Sequence, residues 1–216
     1  MSDDTMNIRN LLAAGALAVG LSMAGGQALA LDNGSFETLD FSGWTTNGFL
    51  SVVGSAGSSQ GANYTATDGD VFARLDAGVG EGIFTTLSQT FTLLTAGTLS
   101  GDAAFLAFDY MPYDDDSYVR IFDINTSQTV FSASVGSVGD YGATGWTHFS
   151  ANLGPGQYTL EAGVRNNGDN SMSSALLVDN VALQAGAVPE PGAWALMIMG
   201  FGGVGAMVRR RRMILA

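Results

Sequence analysis

The sequence predicts an all-β fold, a two-sheet antiparallel β-sandwich that lies between two apolar terminal segments. Across the middle of the chain, short β-branched and aromatic runs are separated by clusters of Gly, Asn, Asp and Ser. Residues 157–164 alternate between polar and apolar side chains, which is the period of a strand with one buried face. No part of this region sustains a helical period. Eight or nine short strands favour jelly-roll connections over a barrel.

The predicted strands occupy most of a single domain of ordinary size, residues 31–187. They cover residues 49–53, 71–75, 85–93, 104–110, 118–124, 129–133, 146–152, 157–164 and 176–183. Trp44 and Trp146 each stand at a strand entrance beside apolar neighbours, so we expect both to pack in the core. The 216-residue chain leaves no room for a second domain.

Residues 1–30 have the three parts of a secretion signal in the right order. Arg9 precedes an apolar run over residues 11–23, and Ala28 and Ala30 form a small-x-small cleavage site. We therefore expect an N-terminal signal helix that signal peptidase removes after Ala30. Translation could begin at Met1 or at Met6, and an uncleaved anchor helix is the alternative.

The C-terminal segment, residues 188–216, contains one hydrophobic helix followed by a cluster of positive charges. Residues 193–208 are apolar or glycine, and Arg209, Arg210, Arg211 and Arg212 come next. A helix of this length covers about 24 Å of a hydrocarbon core about 30 Å thick, so it suits a temporary inner-membrane anchor. The arginines hold that end on the cytoplasmic side.

The residues ahead of this helix carry a specific pattern. Pro189, Glu190 and Pro191 are followed by Trp194 and Ala195, and then by the apolar run and the arginines. This order and spacing resemble the PEP-CTERM sorting signal in its Trp-Ala variant. The resemblance implies processing by an exosortase-type enzyme and delivery to the cell surface or extracellular matrix of a Gram-negative bacterium. A plain tail anchor is the alternative.

The charge of the middle region excludes some functions. Residues 31–188 contain three Arg, no Lys, fourteen Asp and three Glu, so the formal charge is 3 − 17 = −14. Such a domain repels nucleic acid and anionic lipid, and we expect neither as a partner. The chain has no cysteine, which excludes disulfides and thiolate chemistry.

Two segments far apart in the sequence suggest a particular sandwich. Residues 33–37, followed by Gly43 and Trp44, and residues 177–181 resemble the first and last strands of galactose-binding-like jelly rolls. Many carbohydrate-binding modules share that fold, so the resemblance implies a glycan, such as the cell's own exopolysaccharide, as a ligand.

The same resemblance implies a structural Ca²⁺ where the first and last strands meet. Glu37 and Asp179 occupy the matching positions, with Asp32 and Asn33 nearby. Ca²⁺ binds six to eight oxygen atoms, which carboxylates and loop carbonyls provide. The alternative is that both carboxylates are hydrogen-bonded at strand ends. The acidic run at residues 114–116 is more typical of a solvated loop than of a metal loop.

Sugar binding needs an aromatic platform and a few polar groups. Tyr64, Tyr113 and Tyr141 lie in polar loop contexts and are the expected platform, with an ordinary surface role as the alternative.

We expect no catalysis. The only histidine, His148, stands on a predicted strand, and no His-Glu-x-x-His motif occurs. The sequence therefore favours an exported protein with a structural or interaction role in an exopolysaccharide matrix. The first alternative is a carbohydrate-binding module and the second is a secreted hydrolase.

Overall fold

The computed structural model describes residues 31–185 and 198–201. Residues 31–185 form twelve strands and one helical turn. In chain order they are β1 (Thr45–Asn47), β2 (Phe49–Val53), β3 (Ser55–Gly57), β4 (Asn63–Thr65), β5 (Phe72–Asp76), β6 (Thr85–Leu93), β7 (Gly97–Leu106), β8 (Asp116–Phe122), β9 (Ser127–Ser134), α1 (Val135–Val138), β10 (Thr147–Leu153), β11 (Gly156–Arg165) and β12 (Ala175–Ala185).

Ten of these strands form two five-stranded antiparallel sheets. Sheet A has the order β1-β6-β11-β8-β9, and sheet B has the order β10-β7-β12-β5-β2. Neighbours within a sheet are mostly distant in sequence, because the chain crosses repeatedly between the sheets. The predicted two-sheet β-sandwich is confirmed.

The main core fills the space between the sheets. On β11, Leu160, Ala162 and Val164 point inward and are buried, as the alternating pattern predicts. Phe36 is also fully buried. Trp44 is half-buried with its ring 5.4 Å from that of Phe36, and its indole N–H donates to the Asn33 carbonyl at 3.1 Å. Trp44 therefore packs against the core while its polar edge is satisfied.

A second, smaller core covers part of the outer face of sheet B. The β3–β4 hairpin lies over this face and encloses Tyr64 together with Phe72, Leu106 and Leu177. Trp146 packs against the same cluster, 5.5 Å from the ring of Phe72. Within residues 31–185, the outer face of sheet A carries no such hairpin, so the two outer faces differ.

Two sequence-based expectations about strands are wrong. The strand expected at residues 104–110 is β7, and it runs from Gly97 to Leu106. Residues 33–37 form turns rather than a first strand, and Asn33 and Phe36 have positive φ angles of 51° and 59°. Such left-handed residues interrupt a strand.

The antiparallel register defines two ends of the sandwich. Asp76, Leu106 and Ala175 are in register, so their strands meet at one end. We call this end the tip; it comprises loops 77–84, 107–115, 135–146 and 166–174. The base lies opposite and comprises turns 31–44, loops 66–71 and 123–126, and the C-terminal half of β12.

Most residues of the two terminal segments lie outside the part of the chain that the structure describes. Residues 198–201 are described and are helical. The signal peptide and the sorting residues Pro189, Glu190, Pro191, Trp194 and Arg209 to Arg212 all lie outside the described residues.

Candidate binding surfaces at the tip and on sheet A

Three tyrosines gather at the tip. The ring of Tyr110 lies 5.5 Å from that of Tyr113, edge to face, and 5.8 Å from that of Tyr141. Tyr110 is 39% exposed, and the neighbouring Met111 is 49% exposed. We call Tyr110, Tyr113 and Tyr141 the tyrosine cluster. It brings together two of the three tyrosines that the sequence predicts and adds Tyr110.

Hydrogen bonds between two tip loops hold this cluster. The backbone N–H of Tyr141 donates to the Asp109 carbonyl at 2.9 Å, and the N–H of Met111 donates to Asp140 Oδ1 at 2.9 Å. The N–H of Tyr110 donates to Asp109 Oδ1 at 2.8 Å. A third loop supports the ring of Tyr113, because a Cβ on Gly168 would lie only 3.3 Å from it. Three tip loops therefore position the rings.

Tyr64, the third tyrosine of the predicted platform, is not available to a ligand. Its side chain is 8% exposed, and its hydroxyl donates to the Thr144 carbonyl. The reason is the β3–β4 hairpin, which turns Tyr64 inward onto sheet B. This part of the prediction is wrong.

The outer face of sheet A carries a second polar and aromatic surface. Arg120 Nη2 donates to Glu161 Oε1 at 2.6 Å, and the Tyr118 hydroxyl donates to the same oxygen at 2.7 Å. Arg165 pairs with Asp116 at 2.6 Å. Burial and the bond to Glu161 raise the pKa of Tyr118. Asp116, Tyr118 and Arg120 border a shallow depression of about 510 Å³.

The expected Ca²⁺ residues at the base are occupied by hydrogen-bond donors. Asp179 is fully buried, and its carboxylate accepts four hydrogen bonds. Thr67 donates through its N–H at 2.6 Å and its hydroxyl at 3.1 Å. The N–H groups of Asp68 and Asn180 donate at 3.1 and 2.7 Å. Glu37 Oε1 accepts the N–H groups of loop residues 70 and 71 at 2.8 and 3.0 Å. The two carboxylates therefore hold loop 66–71 in place by accepting its N–H groups.

Asp32 and Asn33 do not complete a metal site with them. The backbone of Asp32 bonds to Gln89, and the side chain of Asn33 bonds within turn 31–44. N–H donors point at the carboxylate oxygens that a cation would need, so the residues as placed do not fit Ca²⁺ at this position. Across residues 31–185 and 198–201, no three His, Asp or Glu side chains form a group that could hold a metal.

The acidic run at residues 114–116 is not a simple solvated loop. Asp115 is fully buried, with its Oδ2 accepting the Ser174 hydroxyl at 2.6 Å and its Oδ1 accepting the Asn167 N–H at 3.1 Å. It therefore ties two tip loops together. The sequence did not indicate the burial of Asp115, because three consecutive aspartates give no sign of which one is buried.

His148 has an acidic partner but no enclosed pocket. Its Nδ1 lies 3.0 Å from Asp102 Oδ1, and its side chain is 62% exposed. Burial raises the pKa of Asp102, but hydrogen bonds from Asn180 and His148 outweigh it, so the pKa lies below its usual value. No serine hydroxyl bonds to His148 within residues 31–185, and the His148 side chain lies open to water.

One family model matches the C-terminal part of the sequence. The chain carries a PEP-CTERM protein-sorting motif. It spans residues 187–212 and begins directly after β12 and Gly186. The protein is therefore exported, with a C-terminal membrane-anchoring sorting signal. Among residues 31–185 and 198–201, no helix is long and apolar enough to cross a membrane.

Several solved structures are similar to the domain at low identity. TmCBM61, solved in complex with beta-1,4-galactotriose, is 16% identical with a TM-score of 0.46, covering 72% of this chain and 97% of that one. A family 16 carbohydrate-binding module is 18% identical with a TM-score of 0.43, covering 71% and 97%. The K3 cleaved adhesin domain of Lys-gingipain from Porphyromonas gingivalis is 12% identical with a TM-score of 0.42, covering 70% and 97%. No curated protein matches the sequence.

Proposed function

We propose that this exported protein is a non-catalytic glycan-binding protein that an exosortase-type enzyme sorts to the cell surface or the extracellular matrix. Its ligand is an uncharged polysaccharide, and binding to the cell's own exopolysaccharide would retain the protein in the matrix. The matrix role and glycan binding are then one function. The sorting motif supports the export step, and the tip supports the binding step.

The observation that carries this proposal is the tyrosine cluster. Aromatic faces stack on the apolar C–H faces of pyranose rings, and nearby polar groups bind the hydroxyls. Asp140 and Asn167 are exposed beside the cluster and offer both acceptors and donors. The formal charge of −14 on residues 31–188 repels uronates and sulfated sugars, which favours a neutral glycan.

The direction of β12 fits this role. The strand begins at the tip with Ala175 and ends at Ala185, directly ahead of the sorting motif. Its residues rise about 3.3 Å each, so the tip lies roughly 35 Å from the point where the chain leads to its anchoring tail. While the tail is attached, the tyrosine cluster therefore lies at the end of the domain away from that attachment.

A glycan array with the full chain in detergent would identify the ligand, and calorimetry would then measure variants. We expect Tyr110→Ala and Tyr141→Ala each to weaken binding about tenfold, since one aromatic contact contributes up to about 1.5 kcal/mol. Ile124→Ala is the matched control, because Ile124 is 97% exposed in a loop at the opposite end. Unchanged affinity in both tyrosine variants would reject the tip as the binding site.

The sorting step predicts a second cleavage in addition to signal removal. Pro189 and Pro191 favour an extended backbone, which is the form that a protease cleft accepts. We expect protein extracted from the surface to have lost its residues after the Pro-Glu-Pro segment, and Glu190→Ala to retain them. Mass spectrometry of the C-terminus measures this. A chain from exosortase-containing cells that still ends at Ala216 would contradict the proposal.

A further inference from the structure

Two buried oxygen atoms at the tip have no hydrogen-bond partner. They are Asp109 Oδ2 and Asn166 Oδ1, and within residues 31–185 and 198–201 they are the buried side-chain polar atoms left without one. Asp109 is 1% exposed and Asn166 is fully buried. Carboxylate and amide oxygens only accept hydrogen bonds, and leaving a buried acceptor without a partner is costly. Both atoms therefore lack a donor or a cation.

These two residues lie in tip loops 107–115 and 166–174, which hydrogen bonds join into one layer. Asn166 Nδ2 donates to Ser173 Oγ at 3.2 Å, and the adjacent Ser174 Oγ accepts the N–H of Phe108, the residue before Asp109, at 3.3 Å. The Ser174 hydroxyl donates to Asp115 at 2.6 Å. Loops 107–115 and 166–174 thus bring the two unpartnered oxygens into the same part of the tip.

This layer holds negative charge without a protein cation. Asp109 is 1% exposed and Asp115 is fully buried, so two carboxyl groups lie within it away from water. The three arginines of residues 31–188 pair elsewhere, with Asp76, Glu161 and Asp116, and this region has no lysine. A buried carboxylate needs a counter-charge or a proton.

We propose that a hard divalent cation such as Ca²⁺ binds between loops 107–115 and 166–174, with Asp109 Oδ2 and Asn166 Oδ1 as ligands. The residues do not form a group of three acidic or histidine side chains, so backbone oxygens and water complete the shell. Ca²⁺ accepts such mixed sets of carboxylate, amide, carbonyl and water oxygens. This site is separate from Glu37 and Asp179 at the base.

Cation binding would also stiffen the tyrosine cluster. Asp109 accepts the N–H of Tyr110 through its side chain and the N–H of Tyr141 through its carbonyl. A metal bound to Asp109 Oδ2 would restrain Asp109, and through these hydrogen bonds the backbones of Tyr110 and Tyr141. The metal site itself does not depend on glycan binding.

The experiment uses the full chain in detergent, stripped of metal, with Ca²⁺ or Mg²⁺ alone as the probe. Calorimetric titration should give one saturable site. At free Ca²⁺ about a hundred times the Kd, the melting temperature should rise by roughly 5 to 10 °C, and chelator should reverse the rise. An unchanged melting temperature with Ca²⁺, Mg²⁺ and chelator would overturn the proposal.

Two variants locate the site. Asp109→Asn should abolish the metal-dependent rise while the metal-free protein melts at or above the wild-type temperature, because the substitution removes a buried charge. Glu37→Gln, the matched control at the base, should retain the rise. A rise that persists in Asp109→Asn, or one that Glu37→Gln abolishes, would overturn the assignment. If Asp109→Asn does not fold, Asn166→Asp serves instead and should bind Ca²⁺ more tightly; unchanged affinity would count against the site.

Discussion

The tip and the base each bury an aspartate, and the two aspartates differ in how many donors surround them. Burial raises the pKa of both Asp109 and Asp179. At the base, Asp179 accepts four hydrogen bonds and holds loop 66–71 in place. At the tip, the side chain of Asp109 accepts one hydrogen bond, from the Tyr110 N–H, and its Oδ2 has no partner. Burial alone therefore does not indicate a binding site; unused acceptor capacity does.

The largest effect expected from this comparison is at the base. Asp179→Ala leaves the N–H groups of Thr67 and Asp68 without their acceptor and releases loop 66–71, so the free energy of unfolding should fall by about 3 kcal/mol. In the same chelator-containing buffer, Asp109→Asn should change it by about 1 kcal/mol or less. Urea denaturation of the full chain measures both. An equal loss of unfolding free energy in the two variants would show that the tip carboxylate stabilises the fold as much as the one at the base, and would contradict this comparison.

Much of the sandwich could be predicted from the sequence because most of its strands are short β-branched and aromatic runs bounded by turn residues. Both β6 and β2 have the bounds that the pattern predicts, Thr85–Leu93 and Phe49–Val53. The prediction fails at β7, whose first residues include Gly97 and Gly101, a residue type that is depleted in strands. Phe108 and Tyr110 then extend the apparent strand into a loop. That error hid Tyr110 from the list of candidate ligand residues.

The remaining errors arise from contacts that depend on the tertiary structure. The β3–β4 hairpin has three residues in each strand, too few for a period, yet it covers sheet B and buries Tyr64. Asp115 stands in a polar loop, and hydrogen bonds from loop 166–174 hold it away from water. Local sequence reports neither event, because both depend on contacts with residues that are distant in the sequence.

The sharpest test of the difference between tip and base is residue-level mapping of the bound glycan. Amide chemical shifts of the isotope-labelled full chain, titrated with the oligosaccharide that the array selects, report on every loop at once. We expect the shifts to change at residues 109–113, 139–142 and 166–170, and to stay constant at Glu37, residues 66–71 and Asp179. Changes centred on Tyr118, Arg120 and Glu161 of sheet A, or at the base, with the tip unaffected, would contradict the conclusion that the tip is the binding end of this protein.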